Sequence, residues 1–263
     1  MRDSIQLRGI SQSLIIWANG NNGNYPLPSQ IDTADFTVAE SGRAKDTTAN
    51  IFSILIFNGN ISPEICISPA ESSPSIARDE DFEYSNPKAA ASPMNALWDP
   101  AFSADFTSAK GGNFSYGHLQ PSGTRGDPAA LHAARVPAGR LSVWRDTFST
   151  TEAIIANRGP EISAVAADYT PTLKNKSSNT FLTHGGRNSW EGNVAYNDGH
   201  VAFETTLKPL SPGGAAMSYT TASGPRLDTI FFDEPDDVNQ SNIFLGIFIT
   251  AGEKPGEFKG IWD

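Results

Sequence analysis

The feature of the sequence that most constrains the fold is a tight turn between two short apolar runs. The run Val194–Tyr196 is followed by Asn, Asp and Gly at 197–199 and then by the run Val201–Phe203. Asn and Asp tolerate a positive φ and Gly prefers one, which is the backbone conformation that a short hairpin turn requires. The sequence therefore predicts an antiparallel β-hairpin here.

Composition extends this prediction to the rest of the chain. The 263 residues include 23 Gly and 18 Pro. Such a composition favours many short strands and irregular connections over a helical bundle. The chain is long enough for one sizeable core, and we find no internal repeat or linker that divides it. We therefore expect one domain over residues 1–263.

The N-terminal residues carry the clearest helical pattern. Residues Arg2 to Asn19 place apolar side chains at spacings of three and four, which is typical of an amphipathic helix. Residues 20–24 are only Gly and Asn, which accept the left-handed conformation that ends helices. We expect the helix at 1–20 to pack through Ile5, Leu7, Ile10, Leu14 and Trp17, with Ile15 and Ile16 widening its apolar face.

The rest of the chain is predicted as loops and short strands. Residues 47–57 have the length of a helix, but their β-branched and aromatic content leaves a strand open. Residues 71–140 are predicted to be a loop-rich insertion, and residues 141–263 the β-rich part. Strand candidates lie at 141–144, 153–157, 228–233 and 242–250, and a turn that enters a strand lies at 111–117.

Charge and cysteine content exclude several classes of function. The net charge is -10 and no run of basic residues occurs, which argues against nucleic acid as a partner. The single cysteine, Cys66, excludes an intrachain disulfide, and its neighbours Ile65 and Ile67 predict a buried, unreactive thiol. No apolar run approaches the roughly 18 to 20 residues that cross a bilayer, and no signal peptide opens the chain.

No sequence motif of an enzyme is present. We find no nucleophile elbow, no zinc-protease motif, no phosphate loop and no dinucleotide fingerprint, so we predict a non-catalytic protein. His184, His200 and Asp198 are of the residue types that bind metals or transfer protons. A structural role is favoured for them, because Asp198 lies in a tight turn where it can bond nearby backbone amides.

An acidic segment near the C-terminus is the candidate ion site. Calcium prefers six to eight oxygen ligands from flexible loops, and residues 228–242 supply many carboxylates and amides. The segment predicts either a calcium site or a solvated acidic loop, and it lacks the spacing of an EF-hand. The candidate ligands are Asp228, Asp233, Asp236 and Asp237.

Several short motifs, taken in order, resemble those of one family. The C-terminal signature consists of His184, Asn193, Asp198, Gly199 and His200. It resembles that of bacterial prepilin-like proteins with a His, a nine-residue gap and Asp-Gly. Here thirteen residues separate the His from the Asp, so the chain carries an insertion of four residues at about 188–191.

Two other stretches strengthen the resemblance. Residues 6–10, 17–19 and 21–26 resemble the part of the family's N-terminal helix that follows its membrane-spanning half. Ala153–Asn157 resembles a family segment that usually ends in Ala-Asp, and Asn157 stands where the acid would be. The leader and the apolar half of the helix are absent from this sequence, which predicts either a truncated chain or a divergent soluble relative of the family.

The resemblance implies a fold, a function and a location. The expected fold is α+β and pilin-like, with an N-terminal α-helix packed on an antiparallel β-sheet that carries long loop insertions. The implied function is a structural subunit of a type IV pilus-like or type II secretion pseudopilus-like filament. Its partners would be other pilin or pseudopilin subunits, bound through the N-terminal helix. The implied location is the periplasm or cell surface, with a full-length precursor anchored in the inner membrane.

Two other functions stay open. The first is a secreted or surface β-rich binding module, for a glycan or another surface ligand, that keeps the fold without assembling. The five Trp and the long polar loops would serve such a site. The second is a hydrolase, which is disfavoured because no nucleophile and base occur at a recognisable spacing.

Overall fold

The structure is a computed structural model that describes residues 1–121, 144–186, 189–208, 217–238 and 242–263. These residues combine helices with antiparallel strand pairs, so the predicted α+β class is confirmed. The α-helices are α1 (Arg2–Gly20), α2 (Pro28–Ile31), α3 (Thr48–Phe57) and α4 (Thr180–Thr183). The strands are β1 (Tyr116–Leu119), β2 (Ala153–Asn157), β3 (Ile162–Val165), β4 (Pro171–Leu173), β5 (Gly192–Tyr196), β6 (Val201–Glu204), β7 (Ser218–Thr221), β8 (Gly224–Leu227), β9 (Leu245–Gly246), β10 (Phe248–Thr250) and β11 (Lys259–Gly260).

A five-stranded sheet in the order β6-β5-β2-β1-β9 forms the centre of the fold. Strands β5 and β6 form the predicted hairpin, which pairs Ala195 with Val201 next to the turn and Gly192 with Glu204 at the open end. Three further pairs, β3 with β4, β7 with β8 and β10 with β11, form separate two-stranded sheets. The predicted strands at 153–157 and after 111–117 are confirmed as β2 and β1.

Helix α1 lies against β5, β6 and β2, and its predicted length is confirmed. Leu7, Ile10 and Leu14 are fully buried. Ile5 and Ile16 are 64% and 62% exposed, so the prediction that they pack into the core is wrong. Two residues turn an α-helix by about 200°, which places Ile5 opposite Leu7 and Ile16 opposite Leu14.

Residues 48–57 form helix α3, which decides between the two predictions left open for this segment. Thr47 begins the helix, and its hydroxyl accepts a hydrogen bond from the Asn50 amide at 3.4 Å. Ile51, Phe52 and Leu55 are fully buried. A helix that is apolar all round is stable inside a core, where its β-branched and aromatic side chains find neighbours on every side.

The C-terminal strand predictions need correction. Residues 228–233 are not a strand, because the backbone turns there and the Phe232 amide donates to the Thr229 carbonyl at 2.9 Å. The hairpin of β7 and β8 lies just before this segment and was not predicted. The apolar run at 242–250 contains two short strands, β9 and β10, which belong to different sheets. Of the strand predicted at 141–144, residues 141–143 lie outside the described residues.

The described part of the predicted insertion at 71–140 contributes to the core as well as to the surface. It includes β1, which pairs with β2 and β9 inside the central sheet. Trp98 is fully buried, and Phe102 is 2% exposed.

Cys66 is buried as predicted, and burial raises the pKa of its thiol. No helix among the described residues is both long and apolar enough to cross a lipid bilayer.

Candidate functional site

A buried carboxylate in the first turn of α1 joins the helix to the sheet. Asp3 is 5% exposed, and side chains from four other places contact its two oxygens. Ser68 Oγ and Tyr116 Oη donate to Oδ1 at 2.8 and 3.1 Å. His184 Nε2 and Asn193 Nδ2 lie 2.7 and 2.8 Å from Oδ2. We name these five residues the Asp3 cluster.

Each partner of Asp3 belongs to a different segment. Ser68 follows a turn of 3₁₀ helix at 63–66, and Tyr116 begins β1. His184 follows α4 directly, and Asn193 lies on β5. One carboxylate thus fixes the start of the chain to four distant segments, which makes the cluster a specific attachment point for α1.

The electrostatics of the cluster favour a charged Asp3. Burial of the Asp3 carboxyl favours its neutral form, but hydrogen bonds from His184 and Ser68 outweigh this effect and hold its pKa below the ordinary value. Burial and the neighbouring carboxylate raise the pKa of the Tyr116 hydroxyl, so it stays protonated and donates. The charged carboxylate is the form that the fold stabilises.

Asn157 extends the cluster across the central sheet. The backbone amide and the side-chain amide of Asn193 donate to Asn157 Oδ1 at 2.7 and 3.2 Å. Asn157 also acts to lower the pKa of Asp3. An aspartate at position 157 would set a second negative charge near Asp3 and oppose its ionisation.

The directions of the hydrogen bonds in the cluster indicate a structural role for Ser68. An activated serine gives its proton to an imidazole, which a carboxylate orients. Here the Ser68 hydroxyl donates to the carboxylate itself and accepts from the Ala70 amide at 3.2 Å. The imidazole of His184 contacts the other carboxylate oxygen. The Ser68 proton is therefore committed to Asp3, and this arrangement does not activate the hydroxyl.

The structure separates the residues of the C-terminal signature into two groups. His184 lies at the open end of the β5–β6 hairpin, where its ring meets the Phe203 ring edge-on at 5.5 Å beside Asn193. Asp198 and His200 lie at the turn of the same hairpin. The structure therefore does not bring His184 together with these two residues, as the disfavoured alternative of one metal or proton-transfer site would require.

At the hairpin turn, the signature residues stabilise the backbone. Asp198 Oδ1 accepts from the His200 amide at 3.1 Å, and His200 Nδ1 lies 2.5 Å from the same oxygen. The His200 ring stacks on the Tyr196 ring with centroids 4.4 Å apart. Gly199 has a φ of 83°, which an L-residue with a side chain rarely adopts. The structural role predicted for the Asp198 turn is confirmed.

Asn197, next to these residues, ties the turn to the chain that follows α1. It is fully buried. Its Oδ1 accepts from Tyr25 Oη at 2.8 Å and from the Thr147 amide at 3.1 Å. Its Nδ2 donates to the Arg145 carbonyl at 2.8 Å. The hairpin is thus bonded to the first turn of α1 through Asp3 at its open end, and to the chain just after α1 through Asn197 at its turn.

The acidic segment at 228–242 organises its own backbone. Asp228 Oδ2 accepts from the Ile243 amide at 2.6 Å, and Asp237 Oδ2 accepts from the Asn242 amide at 2.7 Å. The side-chain amide of Asn242 lies 3.4 Å from Asp233 Oδ1. Three of the four predicted calcium ligands, Asp228, Asp233 and Asp237, thus bond to residues 242–243. Residues 239–241 of this segment lie outside the described residues.

The fourth predicted ligand faces elsewhere. Asp236 Oδ2 lies 3.3 Å from Arg226 Nη1, and its Oδ1 accepts from Tyr219 Oη at 3.0 Å. Across the described ranges, no group of three or more His, Cys, Asp or Glu side chains is arranged to hold a metal ion. Calcium binding by this segment stays a prediction, which titration of the protein with calcium would test.

Asp3 is the functional residue that sequence reasoning missed. It lies four residues before Leu7 and seven before Ile10, so helical periodicity places it on the apolar face. A lone carboxylate on the buried face of an amphipathic helix signals a specific partner, since a buried charge must be paired. That signal identifies the face but not the partners, because these come from distant segments.

Comparisons with known proteins do not assign this chain to a family. No protein-family model matches the chain. Searches of curated proteins and of solved structures also returned no match.

Proposed function

We propose that this chain is the globular part of a pilin-like filament subunit, of a type IV pilus-like or type II secretion pseudopilus-like assembly. In this proposal the protein is non-catalytic and acts by assembling with other subunits through α1. The observation that carries the proposal is that α1 exposes two isoleucines, Ile5 and Ile16, on the side opposite its buried apolar face.

The outer side of α1 carries two aligned isoleucines. Ile5 and Ile16 are 64% and 62% exposed. Eleven residues turn an α-helix by about three turns and 20° and advance it by roughly 16 Å, so Ile5 and Ile16 lie along one line. Gln12 lies between them and is exposed, and its amide can hydrogen-bond across a contact between two helices. Aligned apolar side chains of this kind suit packing between helices.

The contacts of the inner face of α1 fix the orientation of the helix on its own domain, which also supports the proposal. Leu7, Ile10 and Leu14 pack the helix on the sheet, and Asp3 bonds its first turn to the hairpin. Asn197 bonds the hairpin turn to Tyr25, which follows the helix. A helix that transmits contacts between subunits must keep its orientation on its own domain. The expected location, periplasm or cell surface with a precursor in the inner membrane, follows from this proposal.

Site-specific crosslinking in the native host tests the assembly surface. The single native cysteine is buried, so a cysteine introduced at Ile16 would supply one exposed thiol. We expect Ile16→Cys to give disulfide-linked or bifunctionally crosslinked oligomers in the fraction of sheared surface filaments. Lys176→Cys, an exposed position on a loop, is the matched control and should stay monomeric. Equal crosslinking at both positions, or no crosslinking at Ile16, would contradict the proposal.

A secreted β-rich binding module is the second candidate. The observation that favours it is a cleft between the β3–β4 and β7–β8 hairpins, which is lined by aromatic, apolar and charged side chains. The native gene upstream of Arg2 distinguishes the two functions. A prepilin leader and an apolar helix support the filament subunit, and an ordinary signal peptide supports the binding module.

A further inference from the structure

An open cleft of about 390 Å³ lies between two hairpins that stand outside the central sheet. Strand β3 lines one side of it. Tyr219 on β7 and Arg226 on β8 line another, and the segment at 232–236 completes it. The volume falls within the range of small-molecule sites, which is roughly 300 to 1,000 Å³.

A donor and an acceptor lie side by side in this cleft. Arg226 Nη1 is 3.3 Å from Asp236 Oδ2, and the two side chains are 38% and 47% exposed. Both therefore present hydrogen-bonding atoms to anything that enters. Tyr219 Oη donates to Asp236 Oδ1 at 3.0 Å. Burial and this carboxylate raise the pKa of the Tyr219 hydroxyl, so it stays protonated and fixes the carboxylate in place.

The remaining lining supplies apolar surface. Val165, Leu227 and Phe232 contribute aliphatic and aromatic groups. Tyr169 adds a half-buried ring, and the Arg226 guanidinium lies 5.9 Å from its centroid. A ligand in this cleft meets apolar and aromatic surface together with a donor–acceptor pair.

Tyr169 is held in the cleft by a strained backbone. Its φ is 64°, in the left-handed region where a bulky residue is an outlier. The turn that imposes this conformation is well bonded, since the Tyr169 amide donates to the Ala166 carbonyl at 2.9 Å and the Ala166 amide to the Thr170 carbonyl at 3.0 Å. Glycine would fill this position without strain. Strain of this kind is concentrated at functional sites.

We propose that this cleft binds a neutral pyranose sugar of a glycan. The sugar would place its C–H face against the Tyr169 ring and the neighbouring apolar side chains. Two adjacent hydroxyl groups would then contact the Arg226 guanidinium and the Asp236 carboxylate. This inference is independent of filament assembly, because the cleft lies on the hairpins and not on α1.

The chemistry of the lining selects this class of ligand. Neighbouring sugar hydroxyls both donate and accept, so they match a guanidinium and a carboxylate that lie side by side. An anion would meet the carboxylates of Asp236 and Glu234, and a cation would meet Arg226. A fully apolar ligand would leave the charged pair desolvated without replacing its hydrogen bonds, which is unfavourable.

The binding test is a titration of ¹⁵N-labelled protein with cellobiose, maltose and N,N′-diacetylchitobiose, followed by NMR. We expect at least one of these disaccharides to give saturable shifts of the amide signals of residues 163–165 and 226–227. If none of the three gives saturable shifts there, the proposal is wrong.

Two variants separate loss of binding from loss of folding. Tyr169→Gly removes the ring and also relieves the backbone strain, so we expect its melting temperature to be unchanged or higher while the saturable shifts disappear. Arg226→Gln should weaken binding at least tenfold. The matched control is Tyr84→Ala, which removes a tyrosine that is 55% exposed outside the cleft and should leave the affinity unchanged. Binding by Tyr169→Gly with the affinity of the unmodified protein would overturn the proposal.

Discussion

The two sides of α1 both carry aliphatic side chains, but only one side is buried. On the inner face, Leu7, Ile10 and Leu14 are fully buried, and Asp3 is bonded through both oxygens. On the outer face, Ile5 and Ile16 are mostly exposed. The comparison shows that apolar character alone does not mark the core side of this helix. The buried carboxylate does, because only one face offers it partners.

The largest expected effect is the loss of the Asp3 carboxylate. Asp3→Ala removes a buried charge and leaves the groups that bonded it, among them His184 and Asn193, without their acceptor. We expect a cost of about 3 to 5 kcal/mol in the free energy of unfolding. Urea denaturation measures it, with Ile5→Ala on the outer face as the control that should change stability by less than about 0.5 kcal/mol. A similar cost for both variants would remove the distinction between the faces.

A matched pair of aliphatic truncations tests the packing. Leu14→Ala deletes a fully buried side chain and should cost about 3 kcal/mol, because it leaves a cavity against the sheet. Ile16→Ala, on the opposite side of the same helix, should cost less than about 0.5 kcal/mol. Thermal or urea unfolding of the two variants measures the difference. An equal loss of stability for Ile16→Ala would contradict the exposure of this side of the helix.

Acid should weaken the inner face through Asp3. Its pKa is lower in the folded protein than its ordinary value of 3.8, so its ionisation stabilises the fold above that value. This contribution is lost as the pH falls through the lowered folded pKa. We expect the stability difference between the unmodified protein and Asp3→Asn to be constant near neutral pH and to shrink below a pH of about 4. A difference that stays constant down to the acid-unfolded state would exclude this role.

The hairpin turn should show a smaller effect. Gly199 has a positive φ, and we expect Gly199→Ala to cost about 1 kcal/mol. Gly186→Ala is the control, since its backbone is not in the left-handed region and a Cβ there would meet open space. Urea denaturation of both variants measures the difference, and equal costs would show that the turn conformation is not what stabilises this end of the hairpin.

Local chemistry made part of this fold predictable. Helix α1 followed from apolar periodicity and from the Gly and Asn that end it, and the β5–β6 hairpin followed from its turn residues. The Asp3 cluster was not predictable, because its members are as many as 190 positions apart. The strand predicted at 228–233 failed because a side chain intervenes: Glu234 Oε1 accepts from the Thr229 amide at 3.1 Å, which favours a turn over a strand.

The periodicity of apolar residues also could not predict which side of α1 is exposed. Ile5 and Ile16 were grouped with the core residues because the sequence does not show where the sheet covers the helix. Only the position of β5 and β6 separates the two faces. The assembly role proposed for the outer face depends on that separation.

The most direct test of the central claim is to place a charge on the outer face with Ile16→Asp. We expect the isolated domain to keep its free energy of unfolding within about 0.5 kcal/mol, while the full-length protein in its native host loses surface filaments. The matched control is Val238→Asp, which should keep the filaments. Val238 is an aliphatic residue that is 50% exposed, and its amide bonds to Thr220 on β7. Normal filaments with Ile16→Asp would contradict the proposal that the outer face of α1 is the assembly surface.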